Sequence, residues 1–240
     1  LGLKSYLKLV SRTYISGINA GLWKDNYPEL HHLKNIVQKG DVCIDIGANM
    51  GYYSYFLSKY SGNTGKVYAI EPIPLFCEIW KKNVKYNQKD NLTLYPYALG
   101  EKEQSVKMGM PVIDGVLHHG MTKVISDNNK DFEKVFEVEM KVPDDLFSDI
   151  EYINFIKVDI EGYEHLVFGN MVNTIKRCLP TIQSELSGAE NRRFVVDLLT
   201  SIGYKTFILE NNSFKEIDYN NLDQYNSDFY FLIDKRKDED

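Results

Sequence analysis

Apolar positions in the first forty residues recur at helical spacing. Leu3, Leu7 and Val10 share one helix face, and Leu30, Leu33, Ile36 and Val37 share another before Gly40, a glycine placed to cap a helix. From Asp41 onward the rhythm changes to short apolar runs that alternate with helix-period stretches. The runs are Val42–Ile46, Lys66–Ile70, Leu92–Tyr95, Phe155–Asp159 and Thr181–Glu185. Helical patterns follow Gly51 to about Tyr60, pass through Trp80 to about Asn87, resume near Tyr163 and cover Arg192–Ile202. Strands that are apolar on both faces and separated by helices predict an α/β fold with a parallel sheet covered on both sides. The end of the chain differs. Lys205–Leu209, a polar turn at Asn211-Asn212, and Phe229–Ile233 predict a closing antiparallel pair.

No repeat and no Pro/Gly/Ser linker divides the chain. The pattern gives an N-terminal helical extension (1–40), one main domain (41–233) and a charged, solvated tail (234–240). Residues 101–150 fit least well. They contain Gly109, Pro111, Gly115, His118, His119 and Gly120 with a strand-like Val135–Val142, and read either as a functional loop or as a surface excursion.

Composition narrows the class. Over 240 residues, 43% are hydrophobic and 26% charged, which excludes collagen-like and disordered chains. Twenty-eight Lys and Arg stand against thirty-four Asp and Glu, a net charge of −6. Such an anion repels phosphate backbones, so no nucleic-acid partner is expected. Cys43, Cys77 and Cys178 are odd in number and far apart. They make neither a disulfide framework nor a metal pair, which points to a reducing, cytoplasmic compartment. The longest apolar runs, such as Val42–Ile46 and Phe229–Ile233, fall far short of the roughly 20 residues of a membrane span. Leu1–Val10 carries Lys4 and Lys8 and shows no cleavage-type segment, so no signal peptide is expected there. A start on Leu rather than Met is compatible with a trimmed or partial chain.

Open parallel sheets bind ligands beyond the carboxyl ends of their strands. The first such end reads Asp45-Ile-Gly47-Ala-Asn49-Met-Gly51. Gly47 permits close approach of backbone and ligand, Asn49 tolerates the left-handed conformation, and Gly51 lets the next helix pack tightly. The second end is Glu71, twenty residues on, where an acid can accept the hydroxyl protons of a ribose. A dinucleotide would need a glycine-rich helix start for its pyrophosphate. S-adenosylmethionine has no phosphate and carries an ammonium and a sulfonium. Asp45 before the turn suits the cationic ligand and would repel pyrophosphate, so this spacing favours S-adenosylmethionine over NAD.

The run Asp45-Ile-Gly-Ala-Asn-Met-Gly-Tyr-Tyr-Ser54, then Val67-Tyr-Ala-Ile-Glu71-Pro72-Ile-Pro74, Asn83, Asn87 and Tyr97-Ala-Leu-Gly100, resembles the FkbM family of class I methyltransferases. Phe155-Ile-Lys-Val-Asp159-Ile-Glu161-Gly162-Tyr-Glu164 and Pro180-Thr-Ile-Gln-Ser-Glu185 extend the resemblance. It implies a Rossmann-like methyltransferase sandwich with a mostly parallel seven-stranded sheet, and S-adenosylmethionine as cofactor. It further implies methyl transfer to a hydroxyl of a carbohydrate or small-molecule acceptor. By position, Asp45, Gly47, Asn49 and Gly51 would form the cofactor loop, Glu71 would hold the ribose, and Ala98 would lie beside the adenine. Ile73 departs from the polar residue usual between the two prolines, and residues 100–139 offer little to match.

Lys157, Asp159, Glu161 and Glu164 gather where the Phe155 strand ends. In-line displacement at a sulfonium methyl gains most of its rate from alignment, and a carboxylate can take the departing hydroxyl proton. Asp159 and Glu161 are therefore the candidate bases. His119, with His118, is a further candidate because imidazole titrates near neutrality. The structural alternative is that Asp159 pairs with Lys157 and Glu161 caps the next helix. Asp159, Glu161 and Glu185 are hard oxygen donors suited to magnesium or calcium, but no spacing requires a metal and none is assigned. Methyl transfer to RNA or protein, and a SAM-binding module without catalysis, remain alternatives.

Overall fold

The computed structural model describes residues 2–85, 90–113, 116–117, 123–124 and 132–233. His118, His119, Asn87 and the charged tail lie outside these residues. The chain opens with α1 (Leu3–Asn19) and α2 (Pro28–Ile36). β1 (Val42–Ile46), α3 (Tyr52–Ser61), β2 (Lys66–Ile70), α4 (Pro74–Val84) and β3 (Leu92–Tyr95) then alternate. After an excursion come α5 (Pro143–Leu146), β9 (Phe155–Val158), α6 (Glu164–Gly169), α7 (Val172–Cys178), β10 (Thr181–Ser184) and α8 (Ala189–Ile202). β11 (Lys205–Glu210), β12 (Ser213–Glu216) and β13 (Phe229–Leu232) finish the fold.

The main sheet has eight strands in the order β12-β11-β13-β10-β9-β1-β2-β3. The five strands from β3 to β10 pair in parallel. Every residue of β1 and β9 is buried, which is why Val42–Ile46 reads as an unbroken apolar run around a single aspartate. Each branched side chain buried there contributes about 1.5–3 kcal/mol. The seven strands read from the sequence are all present, and β12 adds an eighth at the edge. The turn at Asn211 and Asn212, both in the left-handed region, leads into β12 rather than β13. β13 returns instead between β10 and β11, antiparallel to both. Gly40 does not cap α2, which ends at Ile36. At φ +96° it turns the chain into β1.

β1 has β2 on one side and β9 on the other, so the strand order reverses between β1 and β9. A cleft opens beyond the carboxyl ends at such a switch point. The excursion forms a second sheet. β4 (Ala98–Leu99) pairs with β8 (Phe132–Lys141), and β8 pairs antiparallel with β5 (Gln104–Ile113). β6 (Val116–Leu117) and β7 (Lys123–Val124) flank β5. Along β8, Phe136, Val138 and Met140 turn inward while Glu137 and Glu139 are exposed. Ala98 packs with Val138 and Met140, and Met110 packs with Ile73, Phe76 and Leu7 of α1. The poorly matching stretch is therefore seated on the domain. α1 and α2 join a second cluster in which Ile18, Leu30 and Leu33 meet Phe56, Leu57 and Cys43.

Candidate active site

Gly47 ends β1 at φ +81°, and a Cβ there would stand 1.9 Å from the carbonyl oxygen of Asp159. Only glycine allows β1 and β9 to end this close together. The Gly47 and Ala48 N–H groups donate to the Ile70 carbonyl, which fixes the loop to the end of β2. Asn49 adopts φ +47°, and its N–H donates to Glu71 Oε2 at 2.8 Å. Gly51, at φ +92°, precedes α3; a Cβ there would press on Trp80 and Val84.

Glu71 is 4% exposed. Its Oε1 accepts from the Ile73 N–H at 2.8 Å, so the residue that departs from the family pattern contributes through its backbone. Burial pushes the Glu71 carboxyl up to about 7, although the two N–H donors and their hydrogen bonds pull it back. Each carboxylate oxygen retains a lone pair for a further donor. Glu71 opens onto a cavity of about 300 Å³ whose walls include Ile46, Gly47, Asn49, Tyr97, Ala98 and Met140. Val106 and Met108 of β5 also line it. The excursion thus walls this cavity through Val106, Met108 and Met140 and is more than a surface feature.

A second cavity, of about 520 Å³, adjoins the first, and both are bounded by Gly47, Asn49, Asp159 and Glu161. Asp45, Lys157 and Gln183 are register partners on β1, β9 and β10, and Tyr230 continues the row on β13. All four are buried. Asp45 lines the second cavity, where its Oδ2 accepts from Ser54 Oγ at 2.5 Å, and Ser54 Oγ accepts from Trp80 Nε1 at 2.8 Å. Burial raises the Asp45 carboxyl to about 6, opposed by Ser54 and Lys157.

Lys157 and Asp159 do face the same cavity, but Lys157 does not pair with Asp159. Its Nζ donates to Asp228 Oδ2 at 2.7 Å and lies over the Tyr53 ring. Asp228 also accepts from Gln183 Nε2 at 2.6 Å. Burial raises the Asp159 carboxyl above the usual range, and Lys157 opposes the shift. Glu161 does not cap α6. It is exposed, at φ +54°, and Glu164 holds the turn instead. Glu164 Oε1 accepts from the Ile160 and Gly162 N–H groups, while Oε2 accepts from Asn191 Nδ2 at 2.6 Å.

Sequence reasoning missed Asp228, Gln183, Tyr53 and the contribution of α1 and α2. Asp228 was findable in principle. It immediately precedes an antiparallel strand, and such a strand begins where its parallel neighbours end. Tyr14, Tyr27 and Glu29 line the second cavity only because the N-terminal helices fold back over it, and no local signal carries that. Among the described residues, no three His, Cys, Asp or Glu side chains are gathered so as to hold a metal ion. His119 lies outside the described residues.

A switch-point cleft with a glycine-strapped loop and a buried acid after β2 defines a class I methyltransferase fold. The methyltransferase FkbM domain matches residues 45–222, and the chain belongs to that family. A solved FkbM methyltransferase from Methylobacillus flagellatus KT has a similar fold, with a TM-score of 0.50 and 17% identity over 82% of this chain and 44% of that one. A protein-L-isoaspartate O-methyltransferase from Caenorhabditis elegans is 23% identical over 145 residues, 58% of this chain and 64% of that protein. The chain therefore spans less than two thirds of the length of either relative. The family's cofactor is S-adenosylmethionine. The first cavity suits a nucleoside in its chemistry: a buried carboxylate with a lone pair left on each oxygen stands against apolar walls at Ile46, Ala98 and Met140. The orphaned, buried Oδ1 of Asn49 offers a further acceptor at the junction of the cavities.

Proposed function

We propose that this chain transfers a methyl group from S-adenosylmethionine to a hydroxyl of a carbohydrate or small-molecule acceptor. The observation that carries this reading is the meeting of the two cavities at Gly47 and Asp159. One cavity has the walls of a nucleoside site, and the other is lined by carboxylates able to receive a proton.

The cofactor supplies an electrophilic methyl on a sulfonium. Glu71 would accept the ribose hydroxyls, Tyr97 and Ala98 would hold the base, and Asp45, which lines the second cavity, would take the ammonium of the amino-acid end. Asp159 and Glu161 sit at the junction, where the acceptor hydroxyl must lie. Asp159 would orient that hydroxyl and receive its proton on a carboxylate oxygen, while the sulfur–methyl bond of the cofactor would break and S-adenosylhomocysteine would leave. Its burial helps, because a carboxylate with a raised pKa is a stronger base once ionised. Glu164 acts as a positioning residue, since its two backbone contacts hold the 160–162 turn that presents Glu161.

Calorimetric titration with S-adenosylmethionine, followed by a screen of hydroxylated sugars and metabolites with labelled cofactor, tests the reading. Cofactor binding with methylated hydroxyl product supports it. Methyl found only on nitrogen, RNA or protein, or cofactor bound without turnover by any acceptor, rejects it.

A further inference from the structure

The second cavity is strongly acidic. Glu29, Asp45, Asp159, Glu161, Glu185 and Asp228 line it. Lys157 supplies the only ammonium among the described lining residues, and it is already bound to Asp228. These acids come from five separate places: α2, β1, the end of β9, the end of β10 and the residue before β13. They surround the cavity rather than converging on a point, in keeping with the absence of a metal-holding group among the described residues. Tyr14, Tyr27, Tyr52 and Tyr53 supply aromatic wall. Tyr14 meets Tyr27 edge-on at 5.7 Å and Tyr52 at 6.5 Å between ring centroids.

Resting on the reading of this cavity as the acceptor site, we infer that the acceptor is a hydroxyl compound that also bears a protonated amine, of the kind found in an unacylated amino sugar. Two features of the walls favour it over a neutral or anionic hydroxyl compound. Carboxylates crowded into a partly dehydrated space repel one another. Burial raises Glu29, Asp159 and Glu185, and neighbouring acids add to the shift in each case. A bound ammonium reverses that repulsion, whereas a phosphate or uronate increases it. Tyrosine faces accept an ammonium and pack against the apolar face of a sugar ring. Charge alone would be met equally by a metal ion, but acids spread around the rim suit an extended cation with several donors.

The amino-acid end of the cofactor accounts for only part of this charge. Asp45 stands at the head of the glycine loop, and its Oδ2 is already engaged by Ser54. Glu29, on α2 across the cavity, has no part in the glycine loop and is left for the acceptor.

The test uses the whole chain saturated with S-adenosylhomocysteine and titrated with chitotriose in its free-amine and N-acetylated forms, and with a trisaccharide of glucose. The free-amine sugar is expected to bind about tenfold more tightly than either neutral sugar. In Glu29→Gln, checked for folding by circular dichroism, that preference shrinks at least about threefold. Equal binding of the three sugars, tighter binding of a neutral one, or no binding of the amine overturns the inference. The saturation step separates the two readings. If S-adenosylhomocysteine does not bind, the proposed function fails. If it binds and the amine preference is absent, only the acceptor assignment fails.

Discussion

The α-carbon of Gly47 lies so close to the carbonyl of Asp159 that a methyl group on it would overlap that oxygen, at 1.9 Å. The contact joins the end of β1 to the end of β9, and with it the cofactor loop to the candidate base. Gly47→Ala adds both this overlap and a left-handed strain. We expect a loss of about 2–4 kcal/mol, read as a fall in the thermal midpoint. An unchanged midpoint would mean that the loop and β9 are not held together as described.

Glu71 is expected to govern cofactor affinity. Glu71→Ala removes both ribose acceptors and leaves the Asn49 and Ile73 N–H groups unpaired. Binding of S-adenosylmethionine should weaken at least about tenfold, since one lost charged hydrogen bond is worth about 1.5–3 kcal/mol. Calorimetry showing unchanged affinity would remove Glu71 from the site.

Asp159→Asn should separate chemistry from cofactor binding. Affinity for S-adenosylmethionine should hold while turnover falls by about 10²–10⁴, the range of a lost general base. If single-turnover rates are unaffected, the proton goes to Glu161 or elsewhere.

Titration of Glu71 predicts a pH dependence. Its folded-state carboxyl, at about 7, lies above the ordinary 4.5. The folded chain therefore binds this proton more tightly than the unfolded chain. The stability linked to it is fully present below the ordinary value and is lost as pH rises from there through 7. Cofactor binding runs the other way, because ribose hydroxyls donate to the ionised form. Affinity should fall on going from pH 8 to pH 6, by up to about tenfold per unit below 7, and Glu71→Gln should flatten the slope. A slope unchanged in that variant would assign the proton to Asp45 or Glu185 instead.

Lys157 and Asp228 form a buried pair whose halves differ in cost. The lysine side chain is 2% exposed and the aspartate 13%. Asp228→Ala strands an ammonium in the core and should cost about 3–5 kcal/mol. Replacing the pair together, Lys157→Met with Asp228→Ala, should recover much of that loss. Denaturant midpoints showing the double variant less stable than the single would contradict the pairing.

Local pattern alone determined the strands that carry the site and the loop between them. A short, largely apolar run such as Val42–Ile46, closed by a glycine, reads as a buried strand, and Gly47 and Asn49 after the first strand and Glu71 after the second announce themselves by what their backbone and charge must do there. The tertiary structure decided which groups meet across the chain. Lys157 found Asp228, seventy-one residues away, because β13 enters between β10 and β11 and starts where they finish. Glu164 rather than Glu161 took the turn, because only its carboxylate is buried against α8. The N-terminal helices supply a wall of the second cavity, although their own periodicity says only that each has an apolar face. Which surface that face covers depends on packing between distant elements, and spacing along one segment carries no record of it.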